Sequence, residues 1–214
     1  MKRYLLFLIT ILLFSVDNLY GEDNNNIIVE IGLFKTAGRE HKVYAEISSD
    51  TSKVYSYSIE MEYTSAMKLN NPKAHLAYTD SLYSILQRIG SKYKEWTDVA
   101  KDNKVEKIKK EVPIPFPIKM ITQENKNFRT GRINIIESEP TSNSFTFNLY
   151  NQEKDPSLFY TAKYTSKTRF STVNYEMVLI FFSVDEYNTF LELFNTSTLK
   201  ERIKKKNYTN ELFK

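Results

Sequence analysis

A strict alternation of side-chain types between Val54 and Tyr63 is the feature that most constrains how this chain folds. Tyrosine, isoleucine and methionine occupy every second position from Tyr55, and serine or glutamate occupies the positions between them. Successive side chains of a β-strand point to opposite faces, so a period of two predicts a strand with one buried face. The chain therefore contains a sheet that has a core on one side and solvent on the other.

Other segments have the composition of strands. Two short β-branched and aromatic runs precede Val54, at 27–34 and 42–47, and the glycine-containing segment 36–39 between them predicts a turn. Four more strands are predicted in the second half, at 131–137, 145–150, 158–164 and 173–183, with turns at 139–143 and 153–156. Because Met177–Phe182 is continuously apolar, we expect the last of these strands to be central and covered on both faces.

Between the two groups of strands, the apolar residues recur at steps of three and four. Asn71-Pro72 has the form of a helix N-terminus, and a helix is predicted over residues 73–102. Its apolar stripe consists of Leu82, Ile85, Leu86, Ile89, Tyr93, Trp96 and Ala100. We expect this stripe, with Trp96 as a core anchor, to pack on the apolar face of the strand that carries Tyr57 and Ile59.

The segment after this helix is charged and then rich in proline. Lys101–Glu111 carries charges of both signs, and Pro113, Pro115 and Pro117 follow at alternate positions. Because proline cannot donate a backbone hydrogen bond, the segment is predicted to be a linker or an outer edge strand. A proline-rich ligand for an aromatic groove is the alternative.

Two capping patterns predict helices near the C-terminus. Ser183 and Glu186 form a capping box, and the helix that follows is predicted to bury one face. That face consists of Tyr187, Phe190, Leu191 and Phe194. A second box, Thr198 with Glu201, is predicted to start a short basic helix.

These patterns predict an α+β fold, in which a mainly antiparallel sheet of about seven or eight strands packs against one long amphipathic helix. A capped helix completes the fold near the C-terminus. The expected organisation is a signal peptide at 1–21, a flexible lead-in at 22–26, a single domain at 27–199 and a basic C-terminal tail at 200–214.

The N-terminus has the layout of an export signal. Lys2 and Arg3 precede an apolar run at Tyr4–Val16, and polar residues follow it. Thirteen helical residues span about 20 Å, less than the ~30 Å hydrocarbon core of a bilayer. We expect cleavage after Gly21 and a periplasmic or extracellular destination. Leu19 fits a cleavage motif poorly, so an uncleaved membrane anchor is the alternative.

Composition excludes several kinds of chemistry. The chain has no cysteine, which removes disulfides, thiolate metal sites and thiol nucleophiles. Its two histidines, His41 and His75, have no histidine at a metal-ligand spacing. Glu60 and Glu62 lie on the same side of the predicted strand, about 7 Å apart, but on its solvent face. We therefore expect solvated charges at this pair, no catalytic residues, no metal and no cofactor.

The absence of cysteine also bears on the source of the protein. Secreted eukaryotic domains of this size usually contain disulfides, so an exported chain without cysteine favours a bacterial origin. The abundance of residues read from A/T-rich codons, including 15 tyrosines and 14 phenylalanines, fits this and leaves an A/T-rich eukaryote as the alternative.

Positive charge is concentrated at the C-terminus. Residues 200–214 carry a net charge of +4, and the remainder of the exported chain is close to −1, so no nucleic-acid partner is expected. Lys204, Lys205 and Lys206 are the candidate contacts with an anionic surface, which would give a weak peripheral membrane contact. Because this triplet interrupts the stripe that Leu199 and Ile203 begin, we expect little of the tail to be buried.

Two functions remain open. The first is a non-enzymatic exported protein that binds a partner protein, a lipid or an envelope component through its sheet or a groove. The alternative is a hydrolase whose carboxylates and tyrosines are distant in sequence. A deep pocket with convergent carboxylates would favour the hydrolase.

Overall fold

The computed structural model describes residues 26–50, 53–61, 73–126, 133–150, 155–167 and 172–203. Within these residues there are ten strands and three helices. The strands are β1 Ile27–Thr36, β2 Arg39–Ile47, β3 Val54–Glu60, β4 Lys73–Ala77, β5 Ile108–Val112, β6 Ile118–Lys126, β7 Ile133–Ser138, β8 Pro140–Leu149, β9 Ser157–Lys167 and β10 Thr172–Phe181. The helices are α1 Leu82–Asp102, α2 Val184–Glu192 and α3 at 196–203. None of the helices in this part of the chain is long and apolar enough to cross a membrane.

The strands form two antiparallel sheets. The first has six strands in the order β1-β2-β3-β4-β6-β7, and the second has four in the order β10-β9-β8-β5. The α+β class and the antiparallel pairing are confirmed, but a single sheet packed on one long helix is wrong. The chain changes sheets at Glu139, because β8 begins at Pro140, inside the predicted turn at 139–143. The hydroxyl of Ser138 donates to the carbonyl of Thr165 at 3.2 Å and links the two sheets there.

The first sheet buries one face, as the alternation from Val54 predicts. Tyr57, Ile59 and Met61 are buried, and they alternate with half-buried serine and glutamate side chains. The predicted turn between β1 and β2 is confirmed as a two-residue connection. Ala37 and Gly38 both have positive φ, the conformation of the turns whose twist suits a tight hairpin.

The long helix begins later than predicted. Residues Lys73–Ala77 form β4, which lies between β3 and β6, so a helical start at 73 is wrong. Ala74 and Leu76 face the core and His75 faces outward, a period of two that suits pairing with a strand on each side. The helix then buries the stripe Leu82, Leu86, Ile89, Gly90, Tyr93, Thr97 and Ala100.

Trp96 lies at the border of this stripe and is only partly buried. Its ring contacts Phe147 of β8 edge to face, with centroids 5.8 Å apart, and the Lys110 ammonium lies 4.4 Å from its centre. The prediction that Trp96 packs on the sheet of Tyr57 is therefore wrong. Helical periodicity identifies which face is buried, but it carries no information on which sheet will cover that face.

One edge strand of the second sheet also differs from expectation. β10 is an edge strand that buries Met177, Leu179 and Phe181, so a central strand covered on both faces is wrong. The alternate side chain Ile180 is only half-buried. At the opposite edge lies β5, and Pro113, Pro115 and Pro117 follow it in the connection to β6. The charged and proline-rich segment is therefore part edge strand and part linker.

Both capped helices are present. The Ser183 hydroxyl accepts from the backbone N–H of Glu186 at 3.1 Å, and the predicted apolar face of α2 is buried. Helix α3 begins earlier than its predicted box, because the Asn195 side chain accepts from the Ser197 N–H at 3.1 Å.

The structure describes only the first four residues of the predicted basic tail, 200–203. Leu199, just before the tail, and Ile203 within it are each 2% exposed, and the expectation that little of the tail as a whole is buried stays a prediction. The two residues lie four positions apart on α3, which places both on one face of the helix. The boundary after residue 199 stays a prediction.

Candidate functional site

Helices α1 and α2 lie side by side and run antiparallel. At one end the Tyr83 hydroxyl donates to the Glu192 carboxylate at 3.2 Å. Further along, the Tyr187 hydroxyl donates to the carbonyl of Leu86 at 2.8 Å. A Cβ at Gly90 would lie 2.7 Å from the Tyr187 ring, so glycine is what lets the two helices approach this closely.

A groove follows the line between the two helices, and we call it the α1–α2 groove. It consists of a larger cavity of about 320 Å³ and a smaller cavity of about 230 Å³, which share Lys94 and Val184. We call them the wide cavity and the narrow cavity, and they form the wide end and the narrow end of the groove. The wide cavity is lined by Tyr93, Lys94, Thr97, Asp98, Lys101, Asp155, Pro156, Phe182, Ser183, Val184 and Asp185. The narrow cavity is lined by Gln87, Gly90, Ser91, Lys94, Val184, Asn188 and Leu191.

The floor of the wide cavity is held by a buried tyrosine. The Tyr93 hydroxyl is shared between the carbonyls of Pro156, at 2.8 Å, and Phe181, at 3.2 Å. Burial raises the pKa of this phenol above its usual range, so it stays a neutral donor. Tyr93 thereby joins α1 to the chain just before β9 and to the end of β10 beneath the groove.

The charged side chains at the wide cavity form exposed pairs. Lys94 binds Asp98 at 2.6 Å, and Lys101 binds Asp155 at 2.9 Å. Such exposed pairs contribute about 0–1 kcal/mol each. Asp185, in the first turn of α2, is exposed, and its carboxylate has no hydrogen bond or ion pair among the described residues. The groove therefore has an apolar floor and a polar rim.

Three aspartates thus converge on the wide cavity, which is the arrangement that would favour a hydrolase. A carboxyl that serves as a general acid is usually removed from water, because burial favours its protonated form. The side chains of Asp98 and Asp155 are 55% and 71% exposed, and each is already paired with a lysine. The carboxylates therefore lie close together, but Asp98 and Asp155 are not buried as a general acid usually is.

The two histidines lie on opposite faces of the six-stranded sheet. His41 faces the core, where its Nδ1 donates to the carbonyl of Glu60 at 3.1 Å and its Nε2 lies 2.9 Å from the Thr36 hydroxyl. His75 faces outward, and its Nε2 lies 2.7 Å from the Thr122 hydroxyl. Burial, followed by the charge of Lys73, lowers the pKa of His75.

No group of three or more metal-ligating side chains occurs in the described ranges.

The remaining candidates from the sequence lie elsewhere. Glu60 is on the outward face of β3, as predicted, but it is half-buried and accepts from the Tyr44 hydroxyl at 3.3 Å. Its partner in the proposed pair, Glu62, lies outside the described residues. Lys204, Lys205 and Lys206 lie outside them as well, so their contact with an anionic surface stays a prediction.

Sequence reasoning missed the α1–α2 groove. Gly90 is the one residue that could have indicated it. A glycine in the middle of a helix lowers helix stability by about 1 kcal/mol relative to alanine, so it usually has a packing reason. The lining residues come from α1, from α2 and from the two connections that precede β9 and α2, and no sequence pattern joins them.

No family model, curated protein or solved structure matches this chain. Its function is therefore inferred from the geometry of the groove and from the N-terminal sequence.

Proposed function

We propose that this chain is an exported, non-enzymatic binding protein that holds a segment of a partner protein in the α1–α2 groove. The observation that carries the proposal is the combination of an apolar floor held by the Tyr93 hydrogen bonds, an exposed aromatic side chain at its edge and a rim of exposed polar groups. This is the usual composition of a recognition site, in which apolar contacts supply affinity and a few polar groups fix orientation. A lipid or an envelope component is the alternative occupant.

Phe182 is the residue best placed to anchor such a segment. It lines the wide cavity and is 50% exposed, directly after β10 and before the α2 cap. Covering the exposed half of a phenylalanine removes roughly 100 Å² from water, worth about 2–3 kcal/mol. That is the size of effect expected of a residue that dominates an interface.

Selection from a random peptide library on the mature protein tests the groove. We expect the selected peptides to be rich in apolar residues and to lose roughly 30-fold to 150-fold in affinity, by fluorescence anisotropy, when Phe182→Ser is introduced. Tyr150→Ser is the matched control, because Tyr150 is 61% exposed and does not line either cavity. Equal affinity for the wild type and Phe182→Ser, with both folded, would count against the groove as the binding site.

The proposal of export rests on the N-terminal sequence. A basic start, the apolar run Tyr4–Val16 and the polar residues after it are typical of a secretory signal. Cell fractionation with mass spectrometry of the N-terminus tests it, and a periplasmic or extracellular chain that starts at Glu22 is expected. An intact N-terminus in the cytoplasmic fraction contradicts export, and an intact N-terminus in the membrane fraction contradicts cleavage.

A hydrolase is the second candidate, favoured by the three aspartates at the wide cavity. Its site would use Asp155 or Asp185, with Tyr93 holding the floor beneath them. Assay of the purified protein against chromogenic esters and glycosides separates the two functions. Turnover that Asp185→Asn or Asp155→Asn abolishes, while Asp102→Asn leaves it unchanged, would favour the hydrolase over the binding protein.

A further inference from the structure

We infer that the partner segment carries one cationic side chain, which pairs with Asp185 at the wide end of the α1–α2 groove, and an uncharged apolar run that covers the narrow end. This inference rests on the proposed function and adds the chemistry of the partner to it. It follows from how charge is distributed along the groove.

The described residues that line the narrow end of the groove leave no charge unpaired. Its polar lining residues, Gln87, Ser91 and Asn188, are uncharged, and its one charged residue is Lys94, which pairs with Asp98. Leu191 and Gly90 supply the apolar surface there. A charged side chain of a partner would lose hydration at this end without gaining a counter-ion, so an uncharged segment is favoured.

Among the described residues that line the wide cavity, one charged side chain is unpaired. The pairs Lys94–Asp98 and Lys101–Asp155 cancel, which leaves the carboxylate of Asp185. The N-terminus of α2 contributes roughly half a positive charge, and the two acidic residues of its first turn, Asp185 and Glu186, more than offset it. A cation on the partner therefore complements this end, and an anion does not.

The length of the groove limits the segment. On α1, Lys101 at one end of the groove lies 14 positions after Gln87 at the other end, which corresponds to roughly 21 Å of helix. An extended chain covers that distance in about six residues. We therefore expect a short segment with the cationic residue near one end and apolar residues over the rest.

A charge-exchange experiment tests the inference. A selected peptide is synthesised with Lys, Gln or Glu at its charged position, and each form is titrated against the wild type, Asp185→Asn and Asp185→Lys. We expect Asp185→Asn to weaken the Lys peptide by about threefold to fivefold, as an exposed ion pair does, and to leave the Gln peptide unchanged. Asp185→Lys should bind the Glu peptide in preference to the Lys peptide.

Two controls make the result specific. Asp102→Asn removes an exposed aspartate at the end of α1 that lines neither cavity, and it should change no affinity. Raising the salt from about 0.05 M to about 0.5 M should remove most of the difference between the Lys and Gln peptides, because an exposed pair is screened.

The outcomes separate this inference from the proposed function. If no library peptide binds, or if binding ignores Phe182→Ser, the proposed function fails. If peptides bind in a Phe182-dependent way but Asp185→Asn affects the Lys and Gln forms equally, only the charge inference is overturned.

Discussion

The ring of Tyr187 lies directly against Gly90 of α1, where a Cβ would come 2.7 Å from Cε1 and 3.0 Å from Cδ1. The ring is completely buried, and its hydroxyl donates to the carbonyl of Leu86 at 2.8 Å. Rings of Tyr93, Phe145, Phe181 and Phe190 surround it with centroids 5.2–6.4 Å away. Tyr187 is therefore held on all sides and cannot move away from an added methyl group.

Gly90→Ala tests this contact. Alanine favours a helix over glycine by about 1 kcal/mol, but the clash with a fixed ring costs about 1–3 kcal/mol. We expect a net loss of stability, measured as a lower urea midpoint of unfolding. Ser91→Ala is the control, since Ser91 is the next residue of α1 and is exposed, and it should change stability by less than about 0.5 kcal/mol. An unchanged or higher midpoint for Gly90→Ala would show that the helices are not in this contact.

Two buried tyrosines should respond in opposite ways to loss of the hydroxyl. Tyr93 donates to two carbonyls, so Tyr93→Phe leaves them unsatisfied and should cost about 1–3 kcal/mol. The Tyr160 hydroxyl is buried and has no hydrogen-bond partner among the described residues. Tyr160→Phe removes an unsatisfied polar group, so it should leave stability unchanged or raise it by about 1 kcal/mol. Equal losses in the two variants, measured by urea unfolding, would contradict this difference.

The two helix N-caps provide a matched pair. Ser183 accepts a hydrogen bond from the Glu186 N–H, whereas Ser81, at the start of α1, makes no side-chain cap bond. We expect Ser183→Ala to cost about 0.5–2 kcal/mol of unfolding free energy and Ser81→Ala to cost much less. A calorimetric melting temperature that falls equally in both variants would show that the Ser183 cap does not hold α2.

His75 should make stability depend on pH. Because its pKa is lowered in the folded chain, the unfolded chain takes up a proton first as the pH falls. The unfolded state then binds more protons, so stability is lost as the pH falls below about 6.5, and the loss is complete below the folded-state pKa.

Urea unfolding of the wild type and His75→Gln at about pH 7.5 and about pH 5 measures this, since the contributions of other groups cancel in the difference. The wild type should lose more stability than the variant between the two pH values. The same loss in both proteins would mean that His75 is as solvated when folded as when unfolded.

Local patterns predicted most of the elements, and their errors have physical causes. The alternation after Val54 and the box at Ser183 were reliable, because both depend on backbone geometry within a few residues. The prediction of a helix over residues 73–81 is wrong. It followed the helix-start pattern Asn71-Pro72, which outweighed the short alternation of buried and outward side chains in Lys73–Ala77. Pairing of β4 with strands on both sides then decided its structure, and those strands are distant in sequence.

The apolar run Met177–Phe182 shows the same limit. Its composition suits a strand covered on both faces, but β10 lies at the edge of the second sheet and leaves Phe182 half-exposed. The sequence could not distinguish apolar residues that face a core from those that face a groove, because both are equally hydrophobic.

By itself, the sequence determined the α+β class, the antiparallel strands, the capped helix α2 and the absence of cysteine chemistry. These follow from residue type and from spacings shorter than about two helical turns. The tertiary structure alone decided that the strands divide into two sheets and that Trp96 contacts Phe147. It also decided that Lys101 forms an ion pair with Asp155 and that the Tyr93 hydroxyl donates to the carbonyl of Phe181 in the floor of the groove. Contacts between such distant residues depend on how whole elements pack, and local spacing carries no record of that packing.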